Sequence, residues 1–300
     1  MNWLPKRAWG LGLLALIYLT VAYLVPRPAG IEPAGWRLFA LFTATVAGMI
    51  FQPISGGALV FIAIILSSLV GGLTIQQSLA GYADPTNWLV LAAFLISRSL
   101  LNTGLARRIA LFFVRLFGKT SLGVSYALCF SDMVLATIIP SNGARSGGVI
   151  LPIVRGVAEL YGSKPGESAR LIGAFLMTSV YQGICITSAM FLTGQASNPL
   201  AAQMAAKITG TEIDWFGWFW AGVVPGMASI LLVPWLVSKI YKPEINRTPE
   251  AAEFARVQLA GMGKFGNKEW ILCAVFLGVC LAWSTTSIHK LDVAVPALLG

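Results

Sequence analysis

Seven apolar runs recur along the chain, near residues 8 to 25, 36 to 53, 54 to 73, 86 to 101, 168 to 192, 216 to 239 and 268 to 286. Each approaches the roughly 17 to 25 residues that carry an α-helix across a hydrocarbon layer. Inside lipid every backbone N–H and C=O must be paired within the chain, so runs of that length spell helices. With 57% hydrophobic and 11% charged residues, against about 25% charged in soluble domains, the chain reads as an all-α polytopic membrane protein. The first run, "WGLGLLALIYLTVAYLV", is followed by Pro26 and Pro28 rather than by a small-residue cleavage site, and reads as a first anchor.

A formal net charge of +9 raises the question of acidic partners, which the placement of the charges answers. With a cytoplasmic N-terminus, and residues 121 to 161 entering and leaving from that side, only Arg27, Arg37, Lys207 and Lys290 fall outside. The other 17 of the 21 Lys and Arg face the cytoplasm, the positive-inside pattern. The basic balance therefore reports orientation, and no nucleic-acid partner is expected. Cys129, Cys185, Cys273 and Cys280 lie in apolar runs without C-x-x-C spacing, which leaves neither a disulfide nor a zinc reading.

Between the runs, residues 102 to 119 put Leu105, Ile109, Phe112 and Leu116 on one helical face and Arg107, Arg108 and Arg115 elsewhere, the pattern of a helix lying in the cytoplasmic interface. Residues 242 to 269 mix charges and turn formers and read as a cytoplasmic connector. "DWFGWFW", 214 to 220, supplies Trp215, Trp218 and Trp220 to an outer aromatic belt. The closing "VAVPALLG" opens an apolar run too short to cross a bilayer, so the chain is expected to be a piece whose next span is missing.

Two polar breaks interrupt this apolar background. In "ATIIPSNGARSGGVILPI", 136 to 153, Pro140 ends one helix and Ser141 or Asn142 can cap the next, whose N-terminus turns its partial positive charge toward the break. The flanking arms are short for two crossings and suit a re-entrant hairpin. In "MFLTGQASNPLAAQMA", 190 to 205, Thr193, Gly194 and Gln195 interrupt the run, and Asn198 before Pro199 reads as an N-cap followed by a first helical residue. Irregular backbone at membrane depth persists only where it is buried in protein or lines a cavity. Paired breaks, each followed by a fresh helix start, point to a transporter site for an anion, with hydroxyl and carbonyl oxygens that also suit sodium.

"IIPSNGARSGGVILPI" resembles the first signature of the divalent anion:sodium symporter family, carriers of citrate, succinate, malate and 2-oxoglutarate. "TGQASNP" resembles the unwound part of that family's fifth transmembrane helix. The Pro-Ser-Asn and Ala-Arg context is closest to the 2-oxoglutarate/malate translocator and citrate/tartrate exchanger branch. The resemblance implies the first inverted repeat of an elevator-type carrier, usually a homodimer, in the cell inner membrane, moving di- or tricarboxylates by sodium symport or anion exchange. It further implies scaffold helices with an interfacial helix over 1–117 and half of a transport domain over 118–241. Within that half lie a re-entrant hairpin at 121–161, a broken helix at 168–208 and a helix at 214–240. The connector spans 242–269, and a second repeat opens over 270–300. Sodium, as the coupling ion, would be held by Thr137, Ser141, Asn142 and Gly194. Substrate would be met by Ser141, Asn142, Gly143, Arg145, Ser197 and Asn198. Gly143 stands where the family has Thr and removes a hydroxyl that would face the substrate.

Arg145 is open to two readings at this stage, a bidentate clamp on a substrate carboxylate or a partner of Asp132 and protein carbonyls. Arg98 is expected to snorkel, and His289, the one histidine, to be solvated in an outer turn. No catalytic residues, no G-x-S-x-G and no H-E-x-x-H motif are present, so an enzyme is not expected. The alternatives to a carrier are a structural or receptor-like membrane protein and an inactive half-carrier fragment.

Overall fold

The computed structural model describes residues 4–300, all of whose regular elements are helical. It divides into two compact units, one up to Asp84 and one from Pro85 to Gly300. In the first, α1 (Leu4–Leu19), α2 (Pro33–Phe51), α3 (Gly56–Leu69) and a short α4 (Ile75–Leu79) follow one another. Pro33 sits at the first turn of α2, where its missing N–H costs nothing, and Gln52 ends the helix in the left-handed region at φ 48°.

The second unit carries both polar breaks. Its elements are α5 (Pro85–Thr103), α6 (Leu105–Phe117), α7 (Ser121–Ala136), α8 (Asn142–Arg145), α9 (Leu151–Leu160), α10 (Gly173–Met190), α11 (Ser197–Thr209), α12 (Trp215–Ile240), α13 (Pro249–Gly261), α14 (Asn267–Ser284), α15 (Thr286–His289) and α16 (Ala294–Leu299). A π-helical turn, Ser146–Ile150, joins α8 to α9. Among the described residues, three helices are long and apolar enough to cross a membrane: α2, α12 and α14. Helix α5 makes a fourth if the short helix before it is counted as part of the same broken span. Helix α12 leaves Val224, Leu231 and Leu232 exposed, as a lipid-facing helix must. The runs at 54 to 73 and 8 to 25 yield shorter helices than a full crossing.

Helices α7, α10 and α12 pack around a core that includes Leu128, Leu135, Phe175 and Leu176. A close approach fixes α12 against the end of α10: a Cβ on Gly222 would lie 2.6 Å from the Met190 carbonyl oxygen, a backbone atom that cannot rotate away. Asp214 caps α12 by accepting from Gly217 N at 2.7 Å. Of the three tryptophans read as a belt, Trp220 is exposed, but Trp215 stacks on Phe219 and Trp283, and Trp218 donates to the Ala189 carbonyl.

Helix α6 is amphipathic and turns a face rich in small residues toward its neighbours. Leu105, Ala106, Ala110, Leu111 and Val114 are buried, whereas Phe112 and Leu116 are exposed. The small side chains let α7 and α13 approach, and the large ones are left for the surroundings. The connector is a strap, not a separate domain. Glu244 N and Ile245 N donate to the Arg170 and Leu171 carbonyls, Thr248 N donates to Lys119 O, and Ser121 Oγ donates to the Ile245 carbonyl. Arg108 then reaches Glu269 at 2.7 Å, and Tyr161 donates to Glu250 at 2.6 Å. That last bond holds the Glu250 carboxyl below the usual carboxylate range, while burial and then Glu250 push the Tyr161 phenol up. His289 is not simply solvated: its Nε2 meets the Ala282 carbonyl at 2.8 Å and its Nδ1 accepts from Leu291 N.

Candidate functional site

The two breaks meet. Helix α7 ends at Ala136, and Ser141 starts the next helix by accepting from Ala144 N at 3.2 Å, which satisfies one orphan donor of the new first turn. Helix α10 ends at Met190, and residues 192–194 form one 3-10 turn before α11. Side-chain bonds then tie one break, or the end of its leading helix, to the other. Thr193 Oγ1 donates to the Thr137 carbonyl at 2.9 Å and Arg145 Nη1 to the Gly194 carbonyl at 2.6 Å. Asn142 Nδ2 donates to Gln195 Oε1 at 3.3 Å, and Ser188 Oγ lies 2.6 Å from Asn142 Oδ1.

Arg145 is the hub, wholly buried. Its Nε donates to Asp132 Oδ1 at 2.9 Å. Nη1 donates to the Ile139 and Gly194 carbonyls, both at 2.6 Å, and Nη2 to Ser188 Oγ at 2.8 Å and Asn142 Oδ1 at 3.5 Å. A guanidinium has five N–H donors, and all five end on protein acceptors, so none remains for a carboxylate in this conformation. The carboxylate of Asp132 balances the charge and takes a further bond from Thr187 Oγ1. Of the two readings the sequence left open, the geometry is that of the Asp132 pair.

Asn198 also takes a different part from the one its place before Pro199 suggested. Helix α11 starts two residues earlier than that reading, at Ser197 after Ala196, which makes no side-chain cap. Asn198 is buried and its Nδ2 donates to the Ser188 and Phe191 carbonyls at 2.7 and 2.8 Å. It thus satisfies carbonyls that α10 leaves open where it stops. Its Oδ1 accepts from Gln195 Nε2 at 3.0 Å, which orients Gln195 toward Asn142.

Asn142 is held with its oxygen inward, bonded to Ser188 and Arg145, and its nitrogen directed to Gln195. The amide nitrogen carries two donors, and Gln195 uses one. Asn142 and Ser141 are half-buried, and Gly143 and Ser197 are exposed. A Cβ at Gly143 would find only Ser141 Oγ within 4 Å, at 3.9 Å. Thr137, half-buried, turns its hydroxyl to the Val134 carbonyl at 2.7 Å. Ser188 and Thr187 carry no signal in the sequence: in "CITSAM" they read as ordinary helix residues, and only the fold puts them against Asn142 and Asp132. Among the described residues no group of His, Cys, Asp and Glu could hold a metal ion. A cavity of about 620 Å³ opens beside α11, but Glu212, Asp214 and Asp292 line it with one lysine, Lys290, a poor environment for an anion.

An apolar, all-helical chain with several helices of membrane-crossing length is a multi-pass membrane protein. The chain belongs to the sodium:sulfate symporter family, the divalent anion:sodium symporters, which are transporters and not enzymes: the model of that family's transmembrane region matches residues 6–300. A Bacillus subtilis (strain 168) protein named for malate transport, YflS, is 43% identical over 281 residues, covering 93% of this chain and 59% of the relative. The chloroplastic dicarboxylate transporter 1 of Spinacia oleracea is 37% identical over 289 residues, 96% of this chain and 51% of the relative. The citrate/succinate antiporter of Escherichia coli (strain K12) is 35% identical over 296 residues, 92% of this chain and 61% of the relative. The chain thus spans between half and three-fifths of the length of these relatives.

Proposed function

We propose that this chain provides one of two inverted repeats of an elevator-type secondary carrier for di- or tricarboxylate anions in the inner membrane, acting as a homodimer. The relatives named for malate, dicarboxylate and citrate/succinate support the substrate class. The observation that carries the site assignment is the fixed amide of Asn142, whose second N–H is unused between the breaks. Ser141, Gly143 and Ser197 complete the surface a carboxylate would meet, while Arg145 and Asn198 hold it in place from within.

Anion exchange fits the junction better than sodium symport. The Gly194 carbonyl, one of the oxygens expected to bind sodium, already receives the Arg145 guanidinium at 2.6 Å. With that carbonyl already engaged by a charged donor, the oxygens left at the junction for a sodium ion are fewer than the sequence suggested. Thr137, Ser141 and Asn142 remain the ligands of the alternative, a sodium-coupled carrier.

The test is transport and binding of succinate, malate and citrate in proteoliposomes holding the carrier that contains this chain. Asn142→Ala removes one charge-assisted hydrogen bond, worth about 1.5–3 kcal/mol, so substrate affinity should fall by about tenfold to a hundredfold. Gly143→Thr should fold normally and keep or raise affinity, since the position is open. Replacing sodium by potassium should leave exchange unchanged. Wild-type affinity in a well-folded Asn142→Ala protein would remove the site assignment, and an absolute sodium requirement would select symport.

A further inference from the structure

Away from the junction, a cavity of about 540 Å³ is lined by Arg115, Lys119, Arg247 and Arg256 with Glu253 as its one carboxylate. Arg256 is bonded to Glu253 through both Nε and Nη2, at 2.8 and 2.7 Å. Among the described residues, Arg115, Lys119 and Arg247 form no ion pair. Three uncompensated cations are thus gathered around one concavity. Two chain features hold them there. Arg115 and Lys119 stand at and beyond the end of α6, and Arg247 is brought beside them by the antiparallel bridge between Thr120 and its own backbone. The same bridge is braced by Thr248, whose N and Oγ1 donate to the Lys119 and Gly118 carbonyls at 2.9 Å each. The strap therefore fixes the backbone positions from which these exposed side chains reach the cavity.

Its position says what the cavity meets. Helix α5 ends where α6 begins, α12 ends where the strap begins, and α13 leads directly into α14. The cavity therefore lies near the strap end of α12 and about one helix length along α6 and α13 from α5 and α14, on the side that the excess of Lys and Arg assigns to the cytoplasm. On α6 itself, Phe112 and Leu116 stand exposed three residues before and one residue after Arg115. A cationic hollow beside exposed apolar side chains at the membrane edge matches a molecule with a phosphate head and acyl tails. We propose that this cavity binds the phosphate of an anionic membrane lipid, with the acyl chains lying along Phe112 and Leu116. The assignment is independent of which anion the carrier moves.

Phosphatidylglycerol, phosphatidylcholine with the same acyl chains, and inorganic phosphate at matched ionic strength should be titrated separately onto the purified detergent-solubilised protein, with bound lipid read by native mass spectrometry. Phosphatidylglycerol should be retained, and the other two should not. A surface Lys or Arg contributes roughly a fivefold change in affinity for anionic lipid, so Arg115→Gln with Arg247→Gln should weaken retention about 30-fold without moving the melting temperature. Glu253→Gln, which releases Arg256, should strengthen retention about fivefold, a sign that a merely structural role for these residues does not give. If the double variant fails to fold, Lys119→Gln alone should cost about fivefold. Equal retention of phosphatidylcholine, retention unaffected by the variants, or tighter binding of inorganic phosphate than of lipid would each overturn the proposal, the last by making the source a soluble anion.

Discussion

Replacing Asp132 by Ala should destabilise the protein by about 3–5 kcal/mol, because it leaves the wholly buried Arg145 guanidinium without its counter-charge. Removing one partner of a buried pair is far more costly than removing both, since the survivor keeps its desolvation penalty and loses its compensation. Thermal melting in detergent, monitored by size-exclusion recovery, should show early loss of the Asp132→Ala protein. Asp132→Leu combined with Arg145→Met should recover much of the stability, as apolar replacements of buried pairs commonly do. It should not recover transport: the Ile139 and Gly194 carbonyls would lose the donor that joins them, and the two breaks would no longer be held in register. An Asp132→Ala protein as stable as the parent would show that Arg145 finds compensation elsewhere, and the hub would then be wrongly drawn.

Gly194→Ala should be almost as damaging, for a steric reason. The added Cβ would sit 2.6 Å from the Ser188 carbonyl oxygen and 3.1 Å from Ser188 C and the Thr187 oxygen, all backbone atoms. Helix backbone cannot give way by a side-chain rotation, so the loop itself must move, and its carbonyl moves with it away from Arg145. Overpacking of this kind costs about 1–3 kcal/mol before the lost charged hydrogen bond is counted. Gly143→Ala is the matched control, with open space around its Cβ, and should melt like the parent. Equal melting of the two variants would mean that the 192–194 turn is looser than drawn.

These effects turn on contacts that the sequence hid. The breaks themselves were legible, because Pro140 stops a helix, Ser141 offers a capping hydroxyl, and "TGQASNP" interrupts an apolar run: local chemistry states local structure. Of the two caps the sequence left open, Ser141 and Asn142, the structure takes Ser141, and the helix starts at Asn142. The roles of Ser188 and Thr187 did not, since each reaches its partner across 46 and 55 residues of chain and nothing in helical periodicity encodes such a distance. Arg145 was visible as a buried charge, but its allegiance depended on how many acceptors the fold delivers. Asn198 misled for a related reason: the Asn-Pro pair fits an N-cap locally, yet the unfilled carbonyls at the end of α10 drew its amide backward. On α6 the periodicity picked out the large apolar residues, and it did not report that Ala106 and Ala110 lie on the face packed against its neighbours. The strap over residues 242–269 lacks any strong pattern, because its hold on α6, α7 and α10 rests largely on main-chain bonds that side-chain identity does not report.

In the proposed carrier the two breaks form one carboxylate site, and substrate protection of single cysteines tests this most directly. In a cysteine-free version of the carrier that contains this chain, Gly143→Cys samples the first break, where there is room for the thiol, and Ser197→Cys the exposed start of α11 at the second. Labelling of each by a membrane-permeant maleimide should be slowed by succinate, malate or citrate. The concentration giving half-maximal protection should be the same at both positions and should match that for transport. Protection at one position alone, or at neither while transport persists, would contradict a shared site.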